Sequence, residues 1–281
     1  FNNHIGLPLN LIRMPLDEQT AVIEMGMNHA GEIRFLAEIA RPHSAVISNI
    51  GPAHIGLLGS LENIAKAKGE ILEGLAPEGF AILPGDDQFL PTLTSKTHAQ
   101  VITFGFGPHN DLAGQDLMIT PRGIDMKVVH RGRSFPMHLQ LLGKHNASNA
   151  LAALALFISQ GHSLEEGIER LRLFKPVNAR MESQDVGGVR LILDCYNANP
   201  ASMTEAVEFL SVCSGRRVVV LGDMRELGKE GEEQHRKLGK KVAECKLDHL
   251  VAVGDLAQHI AESALTSGMG AQMVHSCRDT R

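Results

Sequence analysis

At 281 residues the chain is long enough for two domains with cores of their own. A hydrophobic content of 43%, a charged content of 21% and a net charge of −5 describe an ordinary globular protein, and argue against nucleic acid or an anionic membrane as partner. Cys195, Cys213, Cys245 and Cys277 lie far apart with no CxxC or Cys/His cluster, which points to reduced thiols in the cytoplasm rather than to zinc or disulfides. No apolar run approaches the length of a membrane span, so no membrane insertion is expected. No signal peptide is visible, and a start at Phe1 rather than Met reads as an internal piece of something longer.

In chain order, Ala21–Glu24 reads as a buried strand, 32–40 as a helix stopped by Arg41-Pro42, 45–50 as a second strand and 61–75 as a second helix. This alternation predicts a parallel sheet with helical crossovers. Runs 79–83 and 100–104 continue it. From Leu117 the rhythm changes to 117–120, 124–130 and 134–142, and Arg131-Gly132 between the last two predicts a hairpin, hence an antiparallel section. A helix over about 146–159 ends before Gly161, and Ser163-Leu164-Glu165-Glu166 opens another with a capping-box pattern.

Residues 174–180 break the pattern and read as a linker. A second α/β series of Rossmann-like rhythm follows, with strands at 189–194, 217–221, 249–253 and 271–275 and helices at 200–210, 232–245 and 255–266. The domains are therefore read as 1–177 and 178–281.

Three residues carry the sharpest chemistry: Glu24 at the end of an apolar run, His54 in Asn49-Ile50-Gly51-Pro52-Ala53-His54, and Lys68 in Ala67-Lys68-Gly69-Glu70. On a helix capped by Ser60, the residues Leu61, Ile64, Ala65, Leu72 and Leu75 share one stripe, and Lys68 falls inside it while Lys66 points away. A buried amine loses hydration and becomes partly neutral, and a neutral amine can take up carbon dioxide. The resulting carbamate, a carboxylate and an imidazole would make a Mg²⁺ site, where a bare ammonium would repel the metal. Each residue also has a plainer reading: a snorkelling lysine, a strand-ending glutamate, a loop histidine.

Further along, Asn146 and Asn149 lie three apart at a helix start, so their amides share a face that suits a purine edge, or else cap the helix. Arg180, just after the linker, suits a nucleotide phosphate, though an exposed arginine is also simply solvated. Asp194 closes a strand, and Asp194-Cys195-Tyr196-Asn197-Ala198-Asn199-Pro200 is more polar than a plain turn requires. No G-x-x-x-x-G-K-[ST] phosphate loop occurs.

Residues 23–33, 49–60, 67–70, 143–149, 178–180 and 194–200, together with 1–8 and 221–228, resemble the Mur ligases in the same order along the chain. Within them the likeness is to the branch that adds D-alanyl-D-alanine to UDP-N-acetylmuramoyl-tripeptide in peptidoglycan synthesis. The resemblance implies a mostly parallel central ATPase domain with an antiparallel section, followed by a Rossmann-like C-terminal domain. It implies ATP and Mg²⁺ as cofactors, a monomer, and ligation through an acyl phosphate attacked by the incoming amine.

Residue by residue, it assigns Glu24, His54 and carbamylated Lys68 to catalysis and the metal. Asn146, Asn149, Arg180 and Asp194 would meet the nucleotide, and Asn2, Asn3, Asn197 and Asn199 the substrate. Measured against the family, an N-terminal domain with a Gly-Lys-Thr loop and the end of the C-terminal domain are absent, so the 281-residue chain alone is expected not to turn over ATP. Two other readings are a folylpolyglutamate synthase-like amide ligase and a non-catalytic nucleotide-binding module.

Overall fold

A computed structural model describes residues 2–52, 55–175, 180–225 and 227–279. Two compact units divide the chain, one of Phe1–Gln115, Val128–Phe135 and Ser148–Gly167, the other of Asp116–Lys127, Pro136–Ala147 and Ile168–Arg281.

In the first unit, α1 (Gly6–Arg13) opens the chain and α2 (Glu32–Ala40) buries Ile33, Leu36 and Ala37, a spacing that puts all three on one helical face. Arg41, in the left-handed region at φ 47°, ends α2 before Pro42, as the sequence predicts. Then come β1 (Ser44–Val46), α3 (Ile55–Leu58), α4 (Leu61–Lys68), β2 (Phe80–Pro84), α5 (Leu90–Thr94) and β3 (Gln100–Gly105). The pairs β1–β2 and β2–β3 are parallel, with Ala45 opposite Ala81 and Ile82 opposite Ile102. Ala45, Ile47, Leu72, Leu75, Ala81, Leu83 and Leu93 form a core cluster on this sheet.

β4 (Leu112–Thr120), β5 (Gly123–His130) and β6 (Arg133–Leu139) extend the sheet in the order β1-β2-β3-β4-β5-β6. β4 joins β3 in parallel. Two-residue turns join β4 to β5 and β5 to β6, which makes those neighbours antiparallel. Arg131 and Gly132 both have positive φ, 49° and 75°, the primed turn that the predicted hairpin requires. Next follow α6 (Lys144–Ser159) and α7 (Leu164–Arg172), whose Ser163 hydroxyl accepts from the Glu166 amide at 3.2 Å.

In the second unit, β7 (Glu182–Val186) and β8 (Val189–Leu193) form a separate antiparallel hairpin. α8 (Pro200–Ser211), β9 (Val218–Gly222), α9 (Gly231–Glu244), β10 (His249–Val253), α10 (Gln258–Thr266) and β11 (Val274–Cys277) complete the chain, with β11-β10-β9 a parallel sheet. Val207, Leu221, Leu238, Val242, Leu250 and Ile260 lie at the centre of its core. Gly239 lets α9 and α10 meet closely: a Cβ there would stand 2.2 Å from the Ile260 carbonyl oxygen.

Four sequence expectations need correction. Residues 21–24 form no strand and Val22 is 88% exposed, because strand formation needs a ladder partner that a four-residue apolar run does not supply. The helix predicted over 61–75 is α4 followed by a 3₁₀ turn, Gly69–Leu72, where Gly69 packs against the stem of Lys96. The strand at 189–194 belongs to the β7–β8 hairpin rather than to the parallel series, since Gly187 and Gly188, at φ 58° and 80°, form a tight reversal. The last predicted strand starts later, at Val274, after a 3₁₀ turn. His54 and residues 176–179 of the predicted linker lie outside the described residues.

Candidate nucleotide and metal site

In the first unit, α4 starts at Ser60, whose hydroxyl accepts from the Asn63 amide at 3.1 Å, and this cap fixes the phase of the helix. Ile64, Ala65 and Ala67 are buried, Lys66 is exposed in an ion pair with Glu62 at 2.7 Å, and Lys68 is half-buried. The Lys68 Nζ donates to the Asn49 backbone oxygen at 2.8 Å and to its side-chain oxygen at 3.3 Å. Burial pushes the Lys68 amine below the ordinary lysine range, with Asp87 partly opposing the shift.

Glu24 is exposed, and one carboxylate oxygen accepts from the Asn2 side-chain amide at 2.8 Å. Gly26 donates its amide to the Asn2 backbone oxygen at 2.7 Å, so the segment after Glu24 is tied to the start of the chain. The Asn3 side-chain oxygen accepts from the Gly6 amide, at the start of α1, at 2.9 Å.

Glu24 and Lys68 line one cavity of about 900 Å³. Residues 19–25 form one part of its wall and residues 40–48, including all of β1, another. Among the described residues β1 pairs only with β2, and its other edge carries no ladder. Among the described residues no three His, Cys, Asp or Glu side chains gather as a metal cluster. Of the predicted trio, the described members are Glu24, which offers carboxylate oxygen of the kind Mg²⁺ takes, and Lys68, a half-buried amine whose pKa burial lowers.

Sequence reasoning passed over Glu70, which is 5% exposed. Its carboxylate accepts from the amides of Gly31, at 2.8 and 3.0 Å, and Arg34, at 3.1 Å, and so caps α2 from another part of the chain. Its adjacency to Lys68 in the motif was the available signal.

In the second unit, Asn146 donates its side-chain amide to the Leu142 carbonyl at 2.8 Å. Asn149, one turn further along α6, is exposed. The His145 ring meets the Glu205 carboxylate, and the His145 amide donates to the same oxygen at 3.3 Å. That pair was not anticipated, although His145 stands inside the Gly143–Asn149 motif.

Asp194 accepts from the Met181 amide at 3.2 Å. Burial raises its carboxyl above the usual range, opposed by that amide and by His145 and Arg180, and reinforced by Glu205. The Arg180 guanidinium lies 4.1 Å from the centre of the Tyr196 ring. Asn197 turns back on the Ala198 amide at 2.8 Å. Asn199 is the N-cap of α8, exchanging hydrogen bonds with Ser202 in a capping box, so its side-chain oxygen is committed to the helix.

The predicted residues thus fall into two groups: Asn2, Asn3, Glu24, Lys68 and Asn149 on the first unit, and Asn146, Arg180, Asp194, Asn197 and Asn199 on the second.

Parallel strands followed by loops rich in carboxylate, amide and guanidinium groups define an α/β ligand-binding protein. The chain belongs to the Mur ligase family: residues 1–157 match the Mur ligase middle domain and residues 179–281 the Mur ligase glutamate ligase domain. It is similar to the UDP-N-acetylmuramoyl-tripeptide–D-alanyl-D-alanine ligase of Bacillus subtilis strain 168, with 40% identity over 94% of this chain and 58% of that protein. The ligase of the same name from Escherichia coli K12 is 36% identical, over 96% of this chain and 60% of that protein. Among solved structures, MurF from Acinetobacter baumannii superposes with a TM-score of 0.89 at 34% identity, over 99% of this chain and 59% of that one. MurF ligase from Thermotoga maritima, solved in complex with ADP, gives a TM-score of 0.82 at 25% identity, over 98% and 67% of the two chains. The chain therefore spans about three-fifths of the length of the curated relatives it matches.

Proposed function

We propose that the chain is the middle and C-terminal part of an ATP-dependent ligase that joins D-alanyl-D-alanine to UDP-N-acetylmuramoyl-tripeptide for peptidoglycan. The observation that carries the reading is Lys68, a half-buried amine with a lowered pKa, sharing a cavity with Glu24 in a chain 40% identical to a ligase of that name. The substrate carboxylate takes the terminal phosphoryl group of ATP, releasing ADP. The dipeptide amine then attacks the acyl carbon, and phosphate leaves as the amide forms.

Glu24, His54 and carbamylated Lys68 would hold Mg²⁺, which when bound neutralises charge on the phosphates. Asn49 accepts from the Lys68 Nζ and so tethers a side chain that lines the cavity. Asn146 and Asn149 would receive the adenine edge, Arg180 a phosphate, and Asp194 the ribose or nearby nucleotide atoms. Arg180 is suited to the role because the Tyr196 ring orients its fork of donors. Asn2, Asn3, Asn197 and Asn199 line the substrate side. For Asn3 that contact would be made beside its hydrogen bond with the Gly6 amide, and for Asn199 beside a capping duty.

We place the domain boundary between 177 and 178, a reading supported by family matches that end at 157 and resume at 179. A cytoplasmic monomer fits four free thiols and the lack, among the described residues, of a helix long and apolar enough to cross a membrane.

The test is ADP release by the longer protein that contains this chain. Release should require the tripeptide precursor and D-alanyl-D-alanine together; release driven instead by glutamate on a folate-type acceptor overturns the reading. The 281-residue chain alone should release no ADP under the same conditions.

A further inference from the structure

The segment Leu221-Gly222-Asp223-Met224-Arg225-Glu226-Leu227-Gly228 stands out in the sequence, yet nothing in the proposed site uses it. It leaves the carboxyl end of β9, the end of a parallel sheet where ligands gather. Its described residues are held from three sides. Met224 is fully buried and Leu227 is 5% exposed, so both anchor in the core of the second unit.

The Met224 amide donates at 2.9 Å to Nε2 of His235, a completely buried histidine on α9. The other ring nitrogen, Nδ1, lies 2.6 Å from the Gly231 carbonyl. A carbonyl only accepts and an amide N–H only donates, so the ring proton sits on Nδ1 and both nitrogens are spent on holding backbone. Asp223 accepts from the Ala257 amide at 2.8 Å and packs over Gly254, where a Cβ would stand 2.2 Å from its oxygen. A buried imidazole committed to one loop amide costs more than an ordinary turn would require.

What this scaffold presents is Arg225. Its side chain is exposed, and among the described residues no carboxylate pairs with it. In the same unit Arg217 is paired with Asp248 at 3.2 Å and Arg236 with Glu232 at 2.9 Å. A guanidinium on a loop anchored at both ends, with no carboxylate partner among the described residues, matches a planar anion from outside.

We propose that Arg225 receives the terminal carboxylate of the incoming dipeptide. This inference rests on the reading of D-alanyl-D-alanine as the acceptor. The acceptor amine must be uncharged to attack, so the carboxylate is the formal charge left to bind it by. Its methyl groups offer little else to discriminate it from shorter amines.

The experiment compares wild type, Arg225→Ala and Arg225→Lys in the longer protein, with D-alanyl-D-alanine and its C-terminal amide as acceptors. Arg225→Ala should raise the KM for the dipeptide about 10- to 100-fold, the range of a charge-assisted hydrogen-bonded pair, and leave the KM for ATP unchanged. It should leave the KM for the amide unchanged, so that the preference for the free carboxylate disappears, and Arg225→Lys should restore part of that preference. An equal rise in KM for both acceptors, or an unchanged KM for the dipeptide, overturns the inference while the ligase reading stands. Absence of dipeptide-dependent ADP release from wild type overturns the ligase reading and this inference with it.

Discussion

Lys66 and Lys68 stand two positions apart on one helix and live in different solvents. Lys66 meets Glu62 in water, whereas Lys68 gives its protons to Asn49 beside a cavity. Desolvation lowers the folded pKa of Lys68, so its burial weighs against folding below that pKa and ceases to do so as the pH rises past the ordinary lysine value. Lys68→Arg keeps the charge but cannot form a carbamate. In the longer protein it should cut ADP release by at least about 100-fold, the scale of losing one electrostatic stabiliser, with the melting temperature little changed. Carbon-13 bicarbonate should give a carbamate resonance with the wild type and none with Lys68→Arg.

Asp194 has the opposite sign. Its folded pKa is raised by burial, so the native state binds the extra proton, and the penalty for the charged form grows as the pH rises through that pKa. Asp194→Asn should raise the melting temperature at neutral pH, with the gain fading toward the acid range, while nucleotide binding measured by calorimetry weakens.

Elements show why some of the fold was legible and some was not. α2 and β10 run over the residues their pattern predicts, because a three-to-four spacing with Arg41-Pro42 as a stop, and an apolar run bounded by turn residues, are local facts. Residues 21–24 look like a strand for equally local reasons, yet strands need partners remote in sequence. The candidate site divides in the same way. Lys68 was legible from helical phase, whereas Glu70 offered only its adjacency to Lys68, and its role at the start of α2 depends on contacts remote in sequence. Glu70→Ala removes acceptors from two amides at the start of α2 and should cost about 1–2 kcal/mol in chemical denaturation. Gly239→Leu should cost more, about 3 kcal/mol or beyond, because the α9–α10 approach leaves no room for a side chain and the added bulk meets backbone.

At the scale of the whole molecule, β1 is a parallel strand whose second edge carries no ladder among the described residues, and it lies beside a cavity. Val46, on that strand, is 37% exposed, and no proline or charged residue guards the run Ser44-Ala45-Val46. Unpaired backbone donors and acceptors along an apolar edge are a template for other chains. The chain of 281 residues, handled alone, should therefore self-associate as its concentration rises, visible as growing light scattering. Val46→Lys should suppress that growth through the gatekeeper effect of an edge charge, with far-ultraviolet circular dichroism unchanged. For anyone preparing the protein, the same edge sets a practical ceiling on concentration and storage time.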